Sequence, residues 1–166
     1  MGLISRLVGA KEIKSTRSLK AAVPSGGIAY DAGLVDKLKD DHKDLIRIFS
    51  AMQAAVREVR FGDIPHLLSQ FKHDLQLHLA AENVRFYVYV QQHVAQGTET
   101  AEFIARVRRE MNDIARDVMK FIDANMAEPP TNATVVKFGA ELEQIGAVLV
   151  RRVEKEESQL YSLYQP

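Results

Sequence analysis

The 166-residue sequence predicts an all-α protein, an up-down-up-down four-helix bundle with an N-terminal basic arm. Three observations predict it. From Asp31 onward apolar residues recur at alternating spacings of three and four, the period of a helix with one buried face. The periodic stretches are long, and Gly, Pro and Thr interrupt them only where a helix must stop or start. The composition is 46% hydrophobic and 27% charged, with nine Gly and five Pro, as expected of a helix-rich globular chain and not of a disordered or fibrous one.

Residues 1–30 carry Arg6, Lys11, Lys14, Arg17 and Lys20 against Glu12 and end in VPSGGIAY, a basic arm with a turn-prone linker. A loosely packed tail is the plain expectation for such a segment, a docking element the alternative. Residues 31–166 form the bundle. The first helix opens at Asp31 as N-cap, presents Leu34, Leu38, Leu45, Phe49, Met52 and Val56, and stops near the FGD turn at Phe61 to Asp63. The second starts after Asp63, tolerates Pro65 in its first turn, presents Leu68, Phe71, Leu75, Phe86 and Tyr89 or Val90, and ends at Gly97. Thr98 or Thr100 caps the third, which shows Phe103, Val107, Met111, Ile114, Val118 and Phe121 until Pro129 and Pro130. The fourth begins between Thr131 and Val135 and shows Phe138, Leu142, Ile145, Leu149, Leu160 and Leu163.

Composition excludes several kinds of function. Lys plus Arg equals Asp plus Glu at 22 each, so no net charge favours nucleic acid or an anionic membrane as partner. The absence of Cys removes disulfides, thiolate catalysis and thiolate-bound metals, leaving His, Asp, Glu or Tyr as metal ligands. No apolar run approaches the roughly 20 residues of a membrane span. The opening MGLISRLVGAKEIK lacks a signal-peptide core, and Arg6 breaks the simple myristoylation motif, so a cytoplasmic location is expected.

Polar residues interrupt the apolar stripes. The run 34, 38, 42, 45, 49 includes His42; the run 71, 75, 78, 82, 86 includes His78 and Glu82; the run 145, 149, 152, 156, 160 includes Arg152 and Glu156. Counted at about 1.5 Å per residue, His42 lies about 18 residues before the first turn and His78 about 16 after it. Glu82 and Met111 flank Gly97 at similar distances, and Arg152 and Glu156 return to a comparable level. The five polar residues are expected to form one cluster, with Met111 beside it.

Two chemistries explain such a cluster. Imidazoles and carboxylates on facing helices are the usual means by which a bundle holds iron or manganese, and His-x-x-x-Glu presents both ligands to one site. The other is a metal-free ionic core in which the Arg152 guanidinium bridges Glu82 and Glu156 while the histidines complete their hydrogen bonds. Breaking such a buried network costs about 3 to 5 kcal/mol. His66, His73 and His93 fall off the stripes and are expected at the surface. Tyr87, Tyr161 and Tyr164 are expected to pack, and Arg106, Arg108 and Arg109 to form a solvated helix face. No phosphate loop, nucleophile elbow or activated Ser or Thr is present, so no catalytic residue is assigned.

LKDDHKDLIRIFSAM, HLAAENVRFY and RRVEKEESQLYSLY together make residues 34–164 resemble the hemerythrin-like HHE cation-binding family. The resemblance implies two irons bridged by carboxylates of the second and fourth helices, one taking His from the first and second helices, the other from the third and fourth. Carried over, His42, His78, Glu82 and Glu156 match one iron's histidines and both bridges. Met111 and Arg152 stand where the other iron's histidines belong, and Val88 and Ser162 stand where Pro often follows the aromatic. The resemblance therefore implies at most one metal, Fe first with Mn or Zn as alternatives, and no dinuclear oxygen carrier. Arg152 would then be a charge replacing the lost ion.

FKHDLQLHLAAENVRFY, IGAVLVRRVEKEE and LVDK at 34–37 also make the chain similar to the regulator-of-sigma-D family of bacterial anti-sigma factors. That resemblance accounts for Arg152 and implies a metal-free regulatory protein whose partner is a sigma factor or another protein. A bacterial protein is expected.

Overall fold

Asp31 makes the turn into the first helix, although not as its N-cap. Its backbone carbonyl accepts from Leu34 N at 3.1 Å and its Oδ1 accepts from Gly33 N at 3.0 Å. Helix α1 then spans Leu34–Arg57. The computed structural model describes residues 27–166, so residues 1–26 of the expected arm, including Arg6, Lys11, Lys14, Arg17 and Lys20, lie outside the described residues. A reverse turn with two backbone hydrogen bonds closes α1, Arg60 N to Ala55 O at 2.8 Å and Val59 N to Val56 O at 3.3 Å. It places Val59 at φ 57°, a left-handed conformation that a β-branched side chain disfavours.

After the short turn Phe61–Asp63, helix α2 runs Ile64–Ala81 with Pro65 in its first turn, where the missing N–H costs nothing. The expected single second helix is interrupted: Glu82–Phe86 is a π turn, and α3 resumes over Tyr87–His93. Gly97 takes φ 76°, and Thr98 caps α4 (Glu99–Ala127) by accepting from Ala101 N at 3.2 Å. Helix α5 spans Val135–Lys155 and passes through a second π turn, Glu156–Leu160, into the final turn Tyr161–Leu163.

Helix α1 packs on α2 and α5, and α4 packs on the same two, giving the four-helix bundle that the periodicity predicts. Its interior is two apolar clusters stacked end to end. Ile48, Met52, Leu68, Phe71, Leu75, Ile122, Phe138 and Leu142 belong to one, and Leu34, Leu38, Phe86, Tyr87, Val107, Leu160 and Tyr161 to the other. Between them lie the five buried polar residues His42, His78, Glu82, Arg152 and Glu156. The stripes are shifted by one residue in places. Ile48 and Ala55 are buried where Phe49 and Val56 were expected, and Ile104 and Ile122 take the interior in place of Phe103 and Phe121. Among the described residues no helix is long and apolar enough to cross a membrane.

Candidate metal centre

His42 projects from α1 into the gap between the apolar clusters and is 2% exposed. Its ring is fixed from both sides. Nδ1 lies 2.8 Å from Glu157 Oε1, and Nε2 lies 3.1 Å from Glu156 Oε2 and 3.4 Å from the Tyr161 hydroxyl. Burial pulls the imidazole pKa down, but the hydrogen bonds to Glu156 and Glu157 outweigh it and hold the pKa above its ordinary value.

His78 faces His42 with ring centroids 4.7 Å apart. Its Nε2 is 3.9 Å from Glu82 Oε2 and its Nδ1 is 3.7 Å from Asp41 Oδ2, both beyond a hydrogen bond. Burial, followed by the charge of His42, pushes its pKa down to about 4, so His78 is neutral near pH 7.

The two carboxylates have opposite environments. Glu156 accepts from Arg152 Nε and pairs with His42. Burial works against its ionisation, but the His42 hydrogen bond and the Arg152 charge win and lower its pKa. Glu82 is fully buried and accepts from Tyr161 at 3.0 Å. Burial first, and then the neighbouring Glu156 charge, push its pKa up to about 8.

Arg152 does not bridge the two carboxylates as the ionic-core alternative expects. Its other donors go to Val107 O and the Tyr87 hydroxyl, both at 3.0 Å. Glu82 Oε2 is left without a hydrogen-bond partner among the described residues, and so is His78 Nδ1, 3.7 Å from Asp41. Met111, 6% exposed, adds an apolar side chain beside the cluster.

The sequence-predicted site residues therefore divide. One ligand atom each from His42, His78 and Glu156 lie within 4.8 Å of one another, a group able to hold a metal ion. Glu82 borders this group through His78, and Arg152 through Glu156. His66, His73 and His93 are exposed, as expected.

Sequence reasoning missed Glu157, which grips the outer nitrogen of His42, and ranked packing above a place at the edge of the cluster for Tyr87 and Tyr161. The missed signal is a shared spacing: Glu82 to Tyr87 and Glu156 to Tyr161 are both Glu-x-x-x-x-Tyr. Each Glu opens a π turn in which the Tyr N–H bonds to the Glu carbonyl. In an α-helix a residue five positions on would lie about 140° round the axis. The wider turn returns both tyrosines to the interior, and such turns often occur at functional sites.

The donor set fits a cation. Two neutral-nitrogen donors and two carboxylates suit iron, manganese or zinc. Glu82 Oε2 is a buried polar atom without a hydrogen-bond partner, a state that is costly until a partner or a cation satisfies it. Glu157 holds His42 as outer carboxylates hold metal-binding histidines, leaving Nε2 turned into the cluster.

The family model described as "Hemerythrin HHE cation binding domain" matches residues 33–164. No match was found among curated proteins or solved structures.

Proposed function

Because the chain belongs to the hemerythrin HHE cation-binding family, we propose that it is a cytoplasmic metal-binding or metal-sensing protein that holds at most one ion in the bundle core. His42, His78 and Glu156 would hold the ion, with Glu82 as the further carboxylate. Iron is the first choice and manganese or zinc the alternatives. The observation that carries this reading is the buried convergence of His42, His78 and Glu156 beside the unpartnered Glu82 Oε2. A second ion has no histidines to hold it, since Met111 and Arg152 occupy those places, which argues against a dinuclear oxygen carrier.

Iron, when bound, would supply a redox-active Lewis acid in a protected interior. The residues of the chain prepare for it. Glu157 orients His42, burial keeps His78 neutral and free to donate its lone pair, and Arg152 supports Glu156 as an anion. Tyr161 holds Glu82 in place through its hydroxyl.

The test is elemental analysis of untagged protein as purified and after anaerobic reconstitution with Fe(II). About one metal per chain, lost in His78→Ala, is the expected result. No metal above background in either sample, with the helices intact, would overturn the reading. The engagement of Arg152 with Glu156 favours a second reading for that outcome: a metal-free regulatory protein with an ionic core, whose partner is a sigma factor or another protein. Loss of metal in the His42→Ala, His78→Ala double variant with partner binding intact would separate the two.

A further inference from the structure

A cleft of about 550 Å³ opens between α1 and α5 and reaches inward to His42, His78 and Glu156. We infer that this cleft binds an uncharged, largely apolar organic molecule that presents one neutral hydrogen-bonding group, of the phenol kind, to His78 at its inner end. The inference stands on the cleft walls and does not require that the centre take a metal.

Size and lining both suit such an occupant. The volume is several times the roughly 150 Å³ of a cavity that holds benzene, and lies within the range of small-molecule sites. Leu45, Phe49, Phe71, Leu75, Met111 and Leu149 form the walls. The Phe49 and Phe71 rings, 5.9 Å apart and inclined at 60°, offer faces and edges to an aromatic guest. Gly146 makes the shape possible: a Cβ there would stand 2.7 Å from Phe49 Cε1 and force that ring away from α5. The cleft also explains why Leu149, an expected core residue, is only partly buried.

The inner end selects against charge. The Glu156 carboxylate repels an anion, and Arg152 already donates to Glu156, Val107 O and the Tyr87 hydroxyl. A cation would be desolvated along apolar walls before reaching those carboxylates. His42 is engaged with Glu156 and Glu157. His78 lines the cleft and makes no hydrogen bond to either nearby carboxylate, so it is the group left to meet a neutral donor or acceptor.

The test is fluorescence titration of the chelator-treated full chain with 2-naphthol and, separately, with 2-naphthoate. Ala147→Phe and Ser50→Phe narrow the cleft from its α5 and α1 sides at exposed positions, and Val136→Phe, on a residue 82% exposed, is the control. Saturable one-to-one binding of 2-naphthol is expected, at least tenfold weaker in both narrowing variants and unchanged in the control. The naphthoate is expected to bind at least tenfold more weakly than the naphthol. Absence of saturable binding would overturn the inference. So would undiminished binding in both narrowed variants with normal helix content, or naphthoate binding as tight as naphthol. Metal content measured on the same proteins before chelator treatment fails or succeeds independently, so the two readings are tested apart.

Discussion

Arg152→Met removes the only guanidinium buried among the described residues while keeping a side chain of similar length. Arg152 is 3% exposed and donates to Glu156, to Val107 O at 3.0 Å and to the Tyr87 hydroxyl at 3.0 Å. Its loss leaves Glu156 with His42 alone, 3.1 Å away. Breaking a buried ion pair costs about 3 to 5 kcal/mol, and the remaining His42 contact places this case near the lower end. In urea unfolding followed by helix circular dichroism at pH 7, a loss of about 3 kcal/mol lowers the midpoint by about 1.5 M for a slope of about 2 kcal/mol/M. A bound divalent ion would itself neutralise Glu156. In metal-loaded protein the same substitution should therefore cost only the lost hydrogen bonds, about 1.5 kcal/mol. A midpoint shift that is equal with and without metal would refute the role of Arg152 as an internal cation, as would a metal-free shift below about 0.4 M.

Metal uptake should release protons, because Glu156 and Glu157 raise the pKa of His42 and burial pushes that of Glu82 up to about 8, whereas ligands must be deprotonated. Affinity should therefore rise with pH through about 8 and level off above it, with proton release near pH 7 measurable by calorimetry in buffers of different ionisation enthalpy. Release of no protons would contradict the assigned charge states. Glu157→Gln should weaken metal binding about 10- to 100-fold by loosening His42, with little change in unfolding midpoint. Tyr161→Phe removes the one donor to Glu82 Oε1, leaving both Glu82 oxygens without a partner, and should destabilise the metal-free protein by about 1 to 3 kcal/mol, read by the same urea titration. Val59→Gly should stabilise by about 1 kcal/mol, because a 64% exposed Val at positive φ loses little packing and sheds its steric conflict.

The helices were legible because each long stretch keeps one apolar face and stops at a residue that cannot continue it. The level of the polar cluster was legible for the same reason: His42 falls between Leu38 and Leu45, and Arg152 and Glu156 between Leu142 and Leu160, so each sits where its apolar seam is interrupted. The π turns were not legible. ENVRF and EESQL have ordinary helical preferences, and the choice of an i→i+5 bond is made by the interior contacts it permits for Tyr87 and Tyr161. Glu157 was hidden as well. Adjacent positions on a straight helix diverge by about 100°, so a neighbour of a stripe residue reads as solvent-facing. The cleft was invisible because periodicity shows that Ile145 and Leu149 face α1, without showing how closely the two backbones approach. That separation depends on Phe49 resting on Gly146.

The protons held by the cluster suit exchange for a divalent ion. Without metal, Glu156 and Glu157 raise the pKa of His42 while His42 and Arg152 favour the ionised form of Glu156, and burial favours the neutral forms of Glu82 and His78. The protons on His42 and Glu82 are the ones that a metal ion would displace. A divalent ion that displaces the His42 proton and the Glu82 proton leaves the net charge unchanged, so no uncompensated charge enters the low-dielectric interior. A monovalent ion displacing the same two protons leaves the interior more negative. A trivalent one leaves it more positive. A second divalent ion would add charge with no further buried carboxylate to meet it, and Arg152 already stands as the other cation. The protonation states that stabilise the metal-free core are thus those that a single divalent ion can replace.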